Sequence, residues 1–282
     1  MDIREFLKIE RFFGGFHKYT FAIVLSPIII FALIVIFQYS SNPSVPLVLK
    51  PLPQNPVTVF PDFAKIVDVD DKKRQFLDYM QSFLDAENQK IMILRSRLLE
   101  IRENIEKGTP SIKETAEVAN LSETYRIDHT DMTIESMIDE LLLRVDLIPV
   151  SMALAQAANE SAWGTSRFTI EGNNVFGQWC YEEGCGIVPS RRISGATHEV
   201  RYFDTVEKSV KSYFLNINTH VSYAYLRDLR FKMRERGLKL DPMSLSIGLG
   251  KYSQRGTSYV DEIQRIIIQN NLRERDAPPN QV

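Results

Sequence analysis

The stretches "AANESAWGTSRF", residues 157–168, and "GNNVFGQW", residues 172–179, decide how this chain reads. The first closes an alanine-rich run that begins at Pro149, a residue suited to a first helical turn. Small side chains let a helix over 150–160 pack closely against its neighbours, which suits a central, buried helix. Gly164 ends it. Glu160 therefore stands at the end of a buried helix, just ahead of Trp163 and Gly164. On composition alone, a glutamate near a helix end reads as solvated or hydrogen-bonded. Among small apolar residues and an indole, however, a carboxyl loses hydration and its pKa rises. A raised pKa is what a general acid needs near neutral pH.

Beyond Gly172 the texture changes. Gly172, Gly177, Gly184, Gly186, Pro189 and Gly195 punctuate short runs such as "NVFGQWCY" and "THEVRYF". This predicts a small hairpin-rich lobe over 172–203. From Thr205 the helical pattern returns, with Val206, Val210, Tyr213, Phe214 and Ile217 on one face. "DPMSLSIGLG" and "SYVDEIQRIIIQNNL" supply two further helical pieces. Upstream, Phe76, Met80, Phe83, Leu84, Ile91, Leu94, Leu98, Ile101 and Ile105 predict an amphipathic helix from about Asp70 to Lys107. Gly108 and Pro110 stop it. Glu87 interrupts its apolar stripe, which favours a helix packed on the domain, broken near Asn88, over a coiled coil. Further helices fit Ser111–Tyr125 and Thr133–Val145, the latter with Thr133 as N-cap. A helical body with a β flap makes a cleft, and Glu160 lies at the junction.

The N-terminus sets the compartment. No Asp, Glu, Lys or Arg occurs from Tyr19 to Leu49. Within that window "TFAIVLSPIIIFALIVIFQY" is about 20 residues, or ~30 Å as a helix, enough to cross a bilayer. A cleaved signal peptide is the rival reading, but its apolar region runs ~7–15 residues and ends in small residues. Here "IFQYSSNPS" offers no good cleavage site. Arg4, Lys8, Arg11 and Lys18 precede the run and only Lys50 closely follows it. The positive-inside rule then puts 1–18 in the cytoplasm, 19–39 in the inner membrane as a single span, and the rest on the periplasmic or extracellular side. Residues 40–61 carry six prolines and read as a semi-rigid tether. The expected division continues as a helical extension over 62–130, which offers a surface to an envelope protein partner. A catalytic domain over 131–273 and a tail over 274–282 complete it.

Composition removes several classes of function. A formal net charge of -2 leaves no basic footprint for nucleic acid. No Gly-rich phosphate loop and no G-x-S-x-G elbow is present. Two cysteines and four scattered histidines fit no typical zinc site, so neither metal nor cofactor is expected. Cys180 and Cys185 bracket "YEEG" in the lobe, and an oxidising compartment predicts a disulfide closing a hairpin tip.

The two opening stretches resemble the A-x-E-S-x-W-G-x-S and N-N-x-F-G pair of the N-acetylglucosaminidase family of peptidoglycan hydrolases. "YFDTVEKSVKSYFLNINTHVSYAYLR" and "GLGKYSQRGTSYVDEI" resemble two later motifs in the same order. The second carries one extra residue between Tyr252 and Tyr259. The similarity spans about 135–272 and is closest to the Bax-type branch. It implies a mostly α, α+β fold: a lysozyme-like helical domain with a small β-hairpin lobe, here preceded by a transmembrane helix. It also implies cleavage of the β-1,4 bond from N-acetylglucosamine to N-acetylmuramic acid in peptidoglycan glycan strands.

Carried over residue by residue, the resemblance makes Glu160 the general acid and Tyr252 a group lining the cleft near the cleaved bond. Tyr259 matches the second tyrosine of the closing motif; it is grouped with the substrate-binding residues, with a structural role the favoured reading. Asn173, Asn174 and Phe176 match the turn that shapes the cleft floor, with core packing the alternative for Phe176. Trp163 reads as packing that supports Glu160. Trp179 stacks on a sugar ring or fills the lobe core. Some relatives carry a second carboxylate in a T-x-E-Y stretch, and "ATHEVRYF" offers only Glu199. Three mechanisms stay open. Glu199 activates water, the substrate's own acetamido group attacks with Tyr252 positioning it, or Glu160 acts alone as in a lytic transglycosylase. A non-enzymatic peptidoglycan-binding scaffold is the rival class.

Overall fold

A helix of 39 residues, α1 (Val69–Lys107), forms one wall of the molecule. Its start follows from Asp68, whose carboxylate accepts the Asp71 N–H at 2.7 Å and so caps an otherwise orphan donor. Phe76, Leu77, Met80, Phe83, Leu84, Ile91, Leu98 and Ile101 are all buried along it. Burial of each such side chain contributes about 1.5–3 kcal/mol. The structure is a computed structural model that describes residues 58–276, apart from 109, 191–194 and 196.

The helix does not break at Asn88, contrary to the sequence reading. The polar step in its stripe faces a tertiary partner instead. Asn88 donates to the Ile148 carbonyl at 2.8 Å and accepts the Ile148 N–H at 3.0 Å. Both halves of the amide are thereby satisfied, and a part-buried polar side chain costs little. Beside it, Glu87 pairs with Lys90 at 3.1 Å.

Helix α2 (Ile112–Thr124) opens with a capping box between Ser111 and Glu114. Helix α3 (Ile134–Arg144) opens on Thr133, as the sequence predicts. Helix α4 (Val150–Ser161) is buried along nearly its whole length, with Pro149 at its N-cap rather than within the first turn. A short α5 (Arg167–Gly172) leads into the lobe. There β1 (Trp179–Cys180), β2 (Gly186–Ile187) and β3 (Glu199–Arg201) form an antiparallel sheet in the order β1-β3-β2. Val200 is the pivot, opposite Trp179 on one side and Ile187 on the other. The body resumes with α6 (Val206–Thr219), α7 (Ala224–Glu235), α8 (Pro242–Ser246) and α9 (Thr257–Gln269).

Helix α7 is absent from the sequence reading for a physical reason. Two positions of its inner face are arginines, Arg227 and Arg230, so its apolar stripe is broken. Arg230 is 1% exposed. It donates to the Leu147 carbonyl at 3.0 Å and to Asn218 Oδ1 at 2.8 Å, and lies 3.7 Å from Asp146. Asp146 also meets Arg234 at 2.8 Å and Arg95 of α1 at 3.6 Å. Burial alone would raise the Asp146 pKa, but Arg230, Arg234 and Arg95 hold it below the usual range. Burial pushes Arg230 down to about 10, so it stays charged at neutral pH.

Arg95 thus ties α1 to the loop after α3. The hydrophobic core runs without interruption from Phe60 through α1 and α2 to Leu272. The expected 62–130 extension and the expected 131–273 domain therefore share one core. Among the described residues no helix is long and apolar enough to cross a membrane. The anchor expected at 19–39, and the segment 1–18 before it, lie outside the described residues.

Candidate active site

Glu160 occupies the last turn of α4, half-buried. Immediately after it, Ala162, Trp163 and Gly164 all adopt positive φ, at 50°, 58° and 78°. Two of these are not glycine, so the turn is strained by about 1–3 kcal/mol per residue. Ser161 fastens it, accepting the Gly164 N–H at 2.8 Å through its hydroxyl. The reversal leaves the Glu160 carboxyl at the helix end, facing the β-lobe junction.

Gly177 closes against that carboxyl. A Cβ there would stand 3.3 Å from Glu160 Oε2, and its φ of +63° is strained for any L side chain. Asn159 donates to Glu160 Oε1 at 3.2 Å. Burial raises the Glu160 pKa, opposed by hydrogen bonds from Tyr259 and Asn159 and by the charge of Arg255. Glu262 adds a smaller upward push. The raised pKa expected from the sequence therefore has burial as its main cause.

Behind the carboxyl lies a buried polar chain. The Tyr213 hydroxyl donates to Gln156 Oε1 at 2.7 Å, and Gln156 Nε2 donates to the Tyr259 hydroxyl at 3.0 Å. With its oxygen already accepting, Tyr259 has its proton free for Glu160, which it meets. The sequence reading missed Gln156 and Tyr213. The signal was present: Gln156 sits one helical turn before Glu160, an amide flanked on both sides by alanines.

The structure changes what the motif residues can touch. Tyr259 is 0% exposed, so it supports Glu160 and does not contact substrate. Its ring stacks on Tyr252, with centroids 5.3 Å apart. Tyr252 is partly open, and its hydroxyl donates to the Phe176 carbonyl at 2.8 Å. Asn173, Asn174 and Phe176 are likewise buried rather than available to a sugar. Asn173 donates to Phe203 O at 3.0 Å. Asn174 ties Gln178 O and Arg201 O, each at 2.8 Å. Phe176 stacks on Tyr213 at 3.9 Å. These residues tie the 173–178 turn to the lobe and to the helical body from within. Trp179, 48% exposed, remains free to meet a ring, standing edge-on to His198 at 4.3 Å.

Glu199 is turned to a local task. It is buried, and its two oxygens accept the N–H groups of Gly184 at 3.2 Å and Gly186 at 2.8 Å. Cys180 and Cys185 form the expected disulfide beside it. Both sulfurs lie close to Glu199, but joined to each other they offer no thiolate to a metal. On the flank of α4 a groove of about 320 Å³ is lined by Lys73, Asn159, Trp163, Glu262 and Arg265, among others. Trp163 packs edge-on against Phe76 of α1, with the Lys73 ammonium 5.1 Å above its ring.

Residues 136–272 match the family described as glucosaminidase, mannosyl-glycoprotein endo-beta-N-acetylglucosaminidase. Protein bax of Escherichia coli (strain K12) is 30% identical over 199 residues, covering 71% of this chain and 70% of its own. The chain is a Bax-type member of the glucosaminidase family. The catalytic domain of the autolysin Auto from Listeria monocytogenes covers 76% of this chain and 92% of its own at 14% identity. Its TM-score of 0.36 is too low to bear on fold or site. In this glucosaminidase family member, Glu160, Gly177, Tyr252 and Tyr259 all fall inside the matched stretch. Helices α1 and α2 lie before it yet share its core.

Proposed function

We propose that this chain hydrolyses the β-1,4 bond between N-acetylglucosamine and N-acetylmuramic acid in peptidoglycan, with Glu160 as general acid. We place it in the cytoplasmic membrane through residues 19–39, with the described domain on the outer side. The observation that carries the reading is the half-buried Glu160 carboxyl, its pKa raised by burial, set against Gly177 at the lobe junction. A protonated carboxyl there can give its proton to the leaving glycosidic oxygen.

The second group is best supplied by the substrate. Both oxygens of Glu199 already accept backbone N–H groups, so freeing it as a base would leave those donors unpaired. Tyr252 gives its proton to the Phe176 carbonyl, which leaves its oxygen to accept the acetamido N–H of the sugar. That hydrogen bond makes the acetamido carbonyl oxygen more nucleophilic. The oxygen attacks C1 as the C1–O4 bond breaks, and the Glu160 proton goes to O4 of the leaving sugar. Water, deprotonated by the Glu160 carboxylate, then opens the cyclic intermediate with net retention.

The test is digestion of purified peptidoglycan by the full chain, with the Glu160→Gln variant beside it, followed by borohydride reduction and mass spectrometry. Reduced N-acetylglucosamine ends from the wild type alone support the proposal. Anhydro-muramic ends indicate a lytic transglycosylase. Equal binding of both forms to the wall without product indicates a scaffold.

A further inference from the structure

The turn that aims Glu160 is packed by residues that lie before the family's matched stretch. Phe60 and Phe63 are each 3% exposed. A Cβ on Gly164 would stand 2.7 Å from Phe63, 2.9 Å from Phe76 and 3.0 Å from Phe60. Three aromatic rings therefore sit directly on the Gly164 backbone. They also hold one another: Phe60–Phe63 at 5.7 Å, Phe63–Phe76 at 5.6 Å and Phe76–Trp163 at 6.0 Å, all edge-to-face. The same segment reaches the lobe junction, where the Asn173 amide donates to the Thr58 carbonyl at 3.1 Å. Asp62 fixes its path, accepting the Ala64 N–H at 3.2 Å to start a turn over Phe63–Lys65.

Two non-glycine residues in left-handed conformation persist only where the surroundings over-determine them. Here Ser161 supplies one restraint, the Trp163 N–H donating to the Ala158 carbonyl at 2.9 Å and the Thr165 hydroxyl donating to the Ala162 carbonyl at 2.7 Å supply others, and the rings of Phe60, Phe63 and Phe76 close over the Gly164 backbone. Phe60 and Phe63 come from a segment outside the family's matched stretch. We propose that Phe60 and Phe63 are positioning residues for Glu160: seated on Gly164, they hold the left-handed turn that aims the carboxyl, so cleavage requires residues 58–66 in place. In its catalytic terms this rests on the glycosidase reading above. Neither ring touches substrate. Their effect passes through backbone geometry, where a displacement of ~1 Å at a reacting group costs about 100-fold in rate.

The experiment uses the full chain in detergent and the variants Phe60→Ala/Phe63→Ala and Phe63→Leu. Seating is read from Trp163 emission in a Trp179→Phe background used for spectroscopy only. Activity is read as kcat and KM on peptidoglycan strands, and fold from the melting transition. Unseating should shift Trp163 emission to the red and lower kcat about 10- to 100-fold, with KM within about twofold. Phe63→Leu should restore most of kcat, because it refills the space over Gly164. A shifted emission with unchanged kcat overturns the proposal. So does a fall in kcat no larger than the unfolded fraction explains. If the wild type cleaves no glycan, Glu160 is titrated by carboxyl carbon NMR, assigned against Glu160→Gln. A pKa that moves in the double variant keeps the positioning role and sinks only the reaction. An unmoved pKa sinks both.

Discussion

Tyr252 and Tyr259 lie ring on ring, their planes 6° apart, yet their hydroxyls serve different partners. Tyr252 bonds the Phe176 carbonyl from a partly open position. Tyr259, fully buried, accepts from Gln156 and meets Glu160. One motif thus contributes a partly open ring and a buried support beneath it, and the two should be separable by mutation.

Loss of the Tyr259 hydroxyl should move the pH profile. Its hydrogen bond favours the ionised form of Glu160, so Tyr259→Phe should raise the Glu160 pKa further. The alkaline limb of kcat, where the general acid loses its proton, then moves to higher pH. Tyr252→Phe should instead lower kcat by about 10²-fold or more with the limb in place, if its oxygen holds the acetamido group. Rate profiles of both variants against pH check this.

Glu160→Gln should abolish about 10²–10⁴-fold of the rate, the usual share of general acid–base catalysis. It should also stabilise the fold at neutral pH. The folded pKa of Glu160 lies above its unfolded value, so the folded state binds more protons between the two. Wild-type stability is then full below the unfolded pKa and falls as pH rises through the folded one. A neutral glutamine escapes that loss. Melting temperatures of the two proteins should agree in acid and diverge toward neutral pH, with the variant higher.

Glu199→Gln decides the second group. If the acetamido group is the nucleophile, kcat should fall less than about tenfold, through a loosened 184–186 turn alone. A fall of 10²–10⁴-fold would make Glu199 the base. Steady-state rates on one glycan preparation give the answer.

Asp146→Asn should leave Arg230 and Arg95 buried beside a lost charge. Removing one partner of such a network costs about 3–5 kcal/mol. Urea unfolding should show the midpoint fall, with the Glu160 pH profile unmoved in the protein that remains folded.

Much of this was legible in the sequence, and the misses have causes. Helices α1, α3, α4 and α6 follow from apolar spacing and from N-caps such as Thr133. The lobe follows from its glycines, and the disulfide from Cys180 and Cys185 in a glycine-bounded tip. Glu160 stood out because alanines precede it. What spacing could not show is which side of a motif faces inward. Asn173 and Asn174 read as contact residues, yet their amides are spent on backbone; Tyr259, the more structural of the two motif tyrosines in the sequence, is spent on Glu160. Buried arginines hid α7, because pattern reading assigns such residues to the surface. Asn88 hid the continuity of α1, because its partner Ile148 is 60 residues away in sequence.

The bond from Arg95 to the loop after α3 has a consequence for where this protein can be divided. A chain begun at residue 136 would retain every motif residue and lose Arg95, Asn88 and the rings over Gly164. It would also lay bare the apolar surface that α1 covers. The smallest recognisable piece and the smallest foldable piece are different objects here. Natural truncation or proteolysis between 66 and 108 would be expected to silence the chain while leaving its signature residues intact.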